Sequence, residues 1–209
     1  QYDRFRDPSG ERQNSKLLIP SIYGEWKTAA NIPFNKFGFK IEGKLRGALK
    51  NIAADISFLQ ASMMLHTYLP ISENNRFVLR GGLGYTKIKS EDLHKLPPSL
   101  RFYTGGDNTV RGYKYDGIGE KGYKGAIYGG KKLVVISAEY EHKITPSFAA
   151  VGFVDAGDAF NDKAKLKYGA GIGMRWYSPI GTVKLDLAHG FDKEFGDTVK
   201  LHLNIGTDL

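Results

Sequence analysis

Apolar and polar residues alternate along most of this chain, in segments of about 10 to 15 residues separated by turn residues. In residues 166–176 every second side chain is apolar, and the residues between them are glycine, lysine or arginine. Successive side chains of a β-strand point to opposite faces, so each segment has one apolar and one polar face. The pattern therefore predicts an all-β protein built from long strands.

Nine segments follow this pattern, and residues 1–5 are interpreted as the remnant of a tenth strand. The predicted strands are residues 15–27, 37–46, 55–69, 76–89, 134–141, 147–157, 166–176, 183–188 and 197–206. Strands this long exceed the usual five or six residues and match a tilted crossing of a bilayer. Short turns also alternate with longer, charged connections, as in outer-membrane barrels. We therefore predict a transmembrane antiparallel β-barrel with about nine or ten strands in this chain.

The composition agrees with a membrane barrel, because 26 glycines and 12% aromatic residues accompany a mean hydropathy of only -0.35. In a barrel only alternate residues face lipid, so the average can resemble that of a soluble protein. No run of about 18 apolar residues exists, which excludes a membrane-spanning helix. An interfacial aromatic girdle is predicted from residues near strand ends, namely Trp26, Trp176, Tyr140 and Tyr177.

The formal net charge is +8, yet the basic residues are dispersed and no Lys/Arg run exceeds two residues. Nucleic acid is therefore disfavoured, and the lysines are expected in exposed loops or near anionic lipid headgroups. The absence of cysteine excludes disulfide and thiolate-metal frameworks. The five histidines include no pair at helical metal-ligand spacing, and nothing positions a nucleophile with its base. We predict no cofactor, no metal and no enzymatic activity.

Residues 90–130 lack strand periodicity and contain an arginine in a glycine-rich turn. The candidate residues of this turn are Gly105, Gly106, Asp107, Val110, Arg111, Gly112 and Tyr113. A buried arginine is costly unless a carboxylate pairs with it. By strand parity Glu139 and Asp155 point to the polar face, so both could bind Arg111 and clamp the loop against the inner wall. A solvated surface pair is the alternative that the residues alone leave open.

Gly169, Gly171 and Gly173 recur at every second position of one predicted strand, beside Asp155 on the polar face. This spacing differs from that of a dinucleotide-binding loop, which also requires a strand-to-helix turn. The missing side chains would leave room for loop backbone. A tight bend of the barrel is the alternative explanation.

These motifs resemble those of the BamA/TamA superfamily of outer-membrane assembly proteins. The glycine-rich turn is similar to the inward-folded loop motif of that family. Residues 153–158 are similar to its next barrel motif, and residues 175–181 to its penultimate hairpin. The strand order, the place of the loop before the last five strands, and the ending 206–209 resemble TamA more closely than BamA.

The resemblance implies that residues 1–209 are a single C-terminal portion of an outer-membrane β-barrel, with a loop at about 90–130 folded into the lumen. The start at Gln1, without methionine or an apolar leader, also predicts a processed or truncated piece. Glu139 and Asp155 match the acids that pair with the loop arginine in that family. The implied location is the Gram-negative outer membrane.

The implied function is insertion of client β-barrel proteins or autotransporters through a lateral seam between the first and last barrel strands. The implied partners are outer-membrane lipid, those client proteins and an inner-membrane-anchored periplasmic protein, with no nucleic acid. Two alternatives stay open at this point. One is a passive porin-like channel, and the other is the barrel of a patatin-linked outer-membrane protein.

Overall fold

The computed structural model describes residues 2–28, 34, 36–50, 52, 54–179, 181–195 and 199–206. The strands are β1 (Tyr2–Arg6), β2 (Arg12–Lys16), β3 (Ser21–Lys27), β4 (Gly38–Ala48), β5 (Phe58–Ser72), β6 (Asn75–Ile88), β7 (Lys132–Thr145), β8 (Phe148–Phe160), β9 (Lys167–Ser178), β10 (Gly181–Gly190) and β11 (Val199–Gly206). Three short 3-10 turns, Ser90–Lys95, Pro98–Leu100 and Tyr123–Gly125, lie between β6 and β7. The described chain contains no helix of the length and apolarity that crossing a membrane requires. The start of the predicted last strand, residues 197–198, and the ending 207–209 lie outside the described residues, as does Gln1.

Strands β3 to β11 form one antiparallel sheet in which each strand pairs with its neighbours in sequence. The ladders are long: β5 and β6 pair from Phe58–Ile88 to Ser72–Asn75, with one shift of register after Pro70. Tight turns join β5 to β6, β7 to β8 and β9 to β10, whereas the connections at the other end are longer. The prediction of an all-β antiparallel fold is confirmed, and among the described strands β3 and β11 are the edges of this sheet.

The prediction of a single first strand over residues 15–27 is wrong. Strand β2 pairs with β1 in a separate two-stranded hairpin, and the large sheet begins only at β3. Between β2 and β3 the side chain of Leu17 is buried, and Pro20 has no N–H to donate to a ladder. The described part of the remnant predicted at residues 1–5, which is residues 2–5, is likewise part of this hairpin and not of the sheet.

The two faces of the sheet differ in polarity, as the alternation predicts. One face, called the outer face here, carries exposed apolar side chains from every strand of the sheet. They include Ile22, Trp26, Leu45, Leu59, Met63, Leu83, Ile136, Val154, Ile172, Leu187, Leu201 and Leu203. An apolar surface of this extent is unusual for a protein in water and is typical of the lipid-facing side of a membrane barrel. The opposite face, called the polar face here, carries buried charged side chains.

A small apolar core lies at the end of the sheet that has the long connections. Its buried members are Leu17, Ala48, Ile56, Phe58, Leu96 and Leu100. Hydrogen bonds reinforce this packing, because the Ser15 hydroxyl donates to the Lys95 carbonyl oxygen at 2.7 Å. The core joins the hairpin segment, the β4–β5 connection and the first part of the β6–β7 connection. It therefore anchors the start of the loop that carries the candidate site.

Candidate functional site

The β6–β7 connection, residues 89–131, is a folded loop whose two ends are joined by backbone hydrogen bonds. Phe102 and Gly130 exchange two backbone hydrogen bonds of 2.9 and 2.8 Å, and Thr104 and Ile118 exchange two more further along. The buried Arg101 donates to two carbonyl oxygens of the preceding turn, those of Leu93 and Leu96. The segment without strand periodicity is therefore a folded loop with its own internal bonding.

The glycine-rich turn has backbone angles that only glycine adopts readily. Gly105, Gly106 and Gly112 have φ of 103°, 95° and 90°. A β-carbon on Gly112 would also collide with the backbone between His189 and Gly190 on β10. The turn thus lets loop backbone lie directly against the sheet, which brings the following side chains to the polar face.

Arg111 is bound by three carboxylates from three different strands. Its Nε and Nη2 donate to the two oxygens of Asp155 on β8, at 2.7 and 2.8 Å. Its Nη1 donates to Glu139 on β7 at 2.7 Å and to Asp186 on β10 at 2.9 Å. The backbone N–H of Arg111 also donates to Asp155 at 3.0 Å. The fork of the guanidinium is thereby used fully, in a way that lysine could not reproduce.

The guanidinium of Arg111 is only 2% exposed. The face of the Phe153 ring lies under it, with 3.4 Å between the Cζ atom and the ring centroid. Burial lowers the pKa of Arg111, but hydrogen bonding to Asp155 and the negative charges of Glu139 and Asp155 raise it above the ordinary value for arginine. The side chain is therefore a permanent cation held in a buried acidic cradle.

Two further arginines complete the charge balance of this cluster. Arg175 on β9 donates to Glu139 at 2.7 Å and to Asp186 at 2.5 Å. Arg80 on β6 donates to Ser137 at 3.0 Å, and its Nη2 lies 3.7 Å from Asp155. Three arginines thus face three acids, which satisfies the requirement that buried charges be paired.

Sequence reasoning identified Glu139 and Asp155 but missed Asp186, Arg175 and Arg80. The signal was present, because strand parity puts all three on the polar face. Parity alone does not give the register between strands. In the structure Asp186 pairs directly with Gly173, two positions from Arg175 along the chain, and this register brings their side chains together.

The three glycines of β9 accommodate different neighbours. A β-carbon on Gly169 would collide with the carbonyl oxygen of Arg111, so this position faces loop backbone. On Gly171 it would collide with the Leu187 carbonyl oxygen of β10 and lie 2.5 Å from the Phe153 ring, and on Gly173 it would collide with the Asp186 carboxylate. The expectation that all three make room for loop backbone is wrong for Gly171 and Gly173, because the nearest atoms to both belong to strands of the sheet.

Hydrogen bonds and apolar contacts hold the residues around Arg111 in place. Val110, Tyr113 and Ile118 form a buried apolar cluster, with Phe195 packed against it. The hydroxyl of Tyr113 donates to the Tyr168 carbonyl oxygen at 2.8 Å. At the tip, the ring of His202 on β11 accepts from the Gly112 N–H at 3.1 Å and bonds to Asp107.

A second charged group lies further along the polar face, towards the tight turns. Arg76 bonds to Glu141, and its Nη2 donates to the Tyr177 hydroxyl at 3.3 Å. The prediction that Tyr177 belongs to the interfacial girdle is therefore wrong, since its side chain lies on the polar face. Trp26, Trp176 and Tyr140 are exposed on the outer face.

The chemistry of the site is that of a structural clamp. Among the described residues, no group of three His, Asp or Glu side chains is arranged to hold a metal ion. The acids around Arg111 are already engaged by arginine nitrogens, so none is free to act as a base. The arrangement joins the loop to β7, β8 and β10.

A family model described as the Omp85 superfamily domain matches residues 21–209. The chain belongs to the Omp85 superfamily. The match begins at the first residue of β3 and so includes all nine strands of the large sheet.

Two bacterial relatives bear the name outer membrane protein assembly factor BamA. The protein of Nitratidesulfovibrio vulgaris is 28% identical over 160 residues, which cover 72% of this chain and 20% of the relative. That of Neisseria meningitidis is 26% identical over 211 residues, covering 79% and 26%. Outer envelope protein 80 of Arabidopsis thaliana chloroplasts is 30% identical over 125 residues, covering 54% and 15%.

The crystal structure of BamA from Haemophilus ducreyi lacking POTRA domains 1–3 has the same fold. The TM-score is 0.70 at 22% sequence identity, and the match covers 95% of this chain and 44% of that one. The large sheet therefore has a BamA-like barrel fold. The chain spans about a fifth to a quarter of the length of its bacterial relatives.

The superfamily and the bacterial BamA relatives together confirm two further predictions. This chain belongs to a protein of the Gram-negative outer membrane, and residues 1–209 are not themselves an enzyme. The closer resemblance to TamA stays a prediction, because the named bacterial relatives are BamA proteins.

Proposed function

We propose that this chain is the C-terminal portion of the barrel of an outer-membrane assembly factor, which inserts client β-barrel proteins through a lateral strand seam. The observation that carries the proposal is the binding of Arg111 by Glu139, Asp155 and Asp186. Burying charged groups in order to fix a loop to three strands costs free energy, and a passive channel has no need of such bonds. A barrel that opens at one seam does need them, because they keep the shape of the remaining strands.

The loop is proposed to lie in the lumen. It covers the face of the sheet that carries Ser137, Glu139 and Arg175, and charged side chains of this kind are not stable against hydrocarbon. The opposite face carries the exposed apolar residues and suits lipid. Closing the sheet with the polar face inward would therefore enclose both the loop and its acids.

The seam is proposed to include β11. Among the described residues, β11 pairs with β10 on one side only, so its other edge presents backbone N–H and C=O groups. Such an edge can accept an incoming strand by β-augmentation. The outward side chains of β11, Leu201 and Leu203 among them, would face lipid beside that strand. Only modestly apolar residues flank the seam, Val183 and Val199 among them, which would favour local thinning of the bilayer.

The test is photocrosslinking of a client hairpin from a position on β11. A photoreactive residue replacing Leu203 should form adducts with a client β-barrel protein during its assembly. The matched control replaces Ile172, which is equally outward-facing and 69% exposed but lies on β9 within the sheet. Adducts at 172 and none at 203 would contradict a seam at β11.

Finer features of the function are part of the same proposal. Autotransporters are proposed as clients, in line with the resemblance of the loop motif and strand order to TamA, and an inner-membrane-anchored periplasmic protein as a partner.

A passive porin-like channel would need the loop outside the lumen, against the burial of Arg111. Conductance measured in planar bilayers distinguishes the two, since a plugged barrel should conduct far less than an open pore.

A further inference from the structure

His202 lies at the point where the edge strand β11 meets the tip of the loop. Its side chain is 8% exposed and points to the polar face, opposite Asp186 in the β10–β11 register. The N–H of Gly112 donates to Nε2 of the ring at 3.1 Å, and Nδ1 bonds to a carboxylate oxygen of Asp107. Two residues that flank Arg111 in the turn are therefore joined to β11 through one ring.

These contacts specify the form of the ring. Nε2 accepts a hydrogen bond from a backbone N–H, so the ring proton lies on Nδ1 and is donated to Asp107. The ring acts as one donor and one acceptor at the same time. A side-chain amide offers the same pair of functions, which makes glutamine the natural mimic and alanine the natural deletion.

In the described part of the chain, the hydrogen bonds between β11 and the loop are made by the side chain of His202. Other anchors of the turn go elsewhere: Arg111 is bound to β7, β8 and β10, and Tyr113 to β9. Strand β11 is thus held by its ladder with β10 along one edge and by His202 from the polar face.

We propose that His202 is a positioning residue that ties the edge strand β11 to the loop tip, so that movement of this strand and movement of the loop are one coupled equilibrium. The proposal rests on the proposed function, in which a client strand adds at this edge. A client that tilts β11 away from the wall would pull on Gly112, the residue next to Arg111. The loop would then respond to occupancy of the seam.

A purely packing role for His202 is the competing explanation. The position of His202 alone does not distinguish the two roles. Its neighbours on the polar face are polar side chains, Lys200 and Asn204 on β11 and Lys184 on the adjacent strand, and a ring could either pack or form hydrogen bonds among them. The two explanations differ in one respect. Packing depends on the volume of the ring, whereas the tether depends on its donor and its acceptor, which His202→Gln preserves and His202→Ala removes.

The experiment measures the distance between the loop tip and β11 in the intact protein reconstituted in lipid vesicles. This chain has no cysteine, so cysteines introduced at Asn108 and Leu203 can carry spin labels. The distance between the labels is then measured by pulsed electron–electron double resonance. Both positions are exposed, and neither residue takes part in the hydrogen bonds of His202. The variants are His202→Ala, His202→Gln and the control Asn204→Ala on the same face of the same strand.

We expect one narrow distance distribution for the parent, for His202→Gln and for Asn204→Ala. Loss of both bonds in His202→Ala should roughly double the width of the distribution, as expected when local opening becomes frequent. Asp107→Ala should broaden it as well, and the double variant should be no broader than the wider single variant. If His202→Ala fails to assemble, Asp107→Ala and His202→Gln still give the answer.

An unchanged width in His202→Ala, a His202→Gln variant as broad as His202→Ala, or equal broadening by Asn204→Ala would each overturn the tether. The client adduct at position 203 is measured in the same variants. Absence of that adduct in every protein, with distances that behave as expected, would remove the proposed function and leave the tether standing. Normal adducts together with an unchanged width of the distance distribution in His202→Ala would remove only the tether.

Discussion

Replacing Arg111 should release the glycine-rich turn from the sheet while the nine-stranded sheet itself persists. The side chain makes four charged hydrogen bonds of 2.7–2.9 Å to three acids, together with a contact of 3.4 Å to Ser137. Removing one partner of a buried ion pair costs about 3–5 kcal/mol, because the remaining charges stay buried without compensation. Arg175 and Arg80 offset part of this cost, so the lower end of that range is expected for Arg111→Ala.

Hydrogen exchange is the direct assay for this release. The N–H groups of Arg111 and Gly112 are both bonded, to Asp155 and His202, and should exchange only when the turn opens. About 3 kcal/mol corresponds to a faster exchange of roughly 100-fold for the peptide covering residues 105–113. Arg111→Lys should lie between the parent and alanine, because an ammonium group cannot form the bidentate bond.

The control for this prediction is Arg101→Ala. Arg101 is a buried arginine of the same loop, but it donates to backbone carbonyl oxygens of the preceding turn and not to acids of the sheet. Exchange at residues 105–113 should change little in this variant. If Arg111→Ala leaves exchange of that peptide within about threefold of the parent, the acids do not hold the loop and the reasoning is refuted.

The same geometry predicts the effects of substitutions elsewhere in the sheet. Gly169→Ala should destabilise the folded protein by about 1–3 kcal/mol in a denaturant titration, because its β-carbon meets loop backbone, while Gly152→Ala, with nothing within 4 Å, should be nearly neutral. Asp186→Asn should weaken the cluster and lower the temperature at which the barrel loses its compact form in heat-modifiability gels. On β5, Met63→Lys on the outer face should cost about 2–4 kcal/mol of membrane folding, whereas Ser62→Lys on the polar face should cost much less.

Much of the sheet could be predicted from the sequence because alternation reports local geometry directly. Residues 166–176 alternate without a break, and the structure contains β9 at Lys167–Ser178. Alternation cannot locate the end of a strand where two strands follow closely. The polar run before Leu17 and the run after Pro20 alternate similarly, and the break between β2 and β3 follows from burial of Leu17 in the apolar core and from Pro20.

The candidate site was predictable in part for a similar reason. Parity assigned Glu139 and Asp155 to the polar face, and resemblance to a known loop motif connected them with Arg111. Asp186 and His202 lie on strands far from the loop in sequence, and their contact with it depends on the curvature and register of the whole sheet. Local patterns contain no information on those quantities, so a third acid and a histidine tether were missed.

We expect Arg111 to keep the loop against the polar face of the sheet. A β-carbon placed on Gly157 of β8 would lie 2.8 Å from Cγ2 of Val110, so a cysteine at each position should form a disulfide if the loop is in place. In native membranes the Val110→Cys, Gly157→Cys pair should crosslink nearly completely, and adding Arg111→Ala should reduce the yield several-fold. No disulfide in native membranes, or the same yield with and without Arg111, would contradict the account.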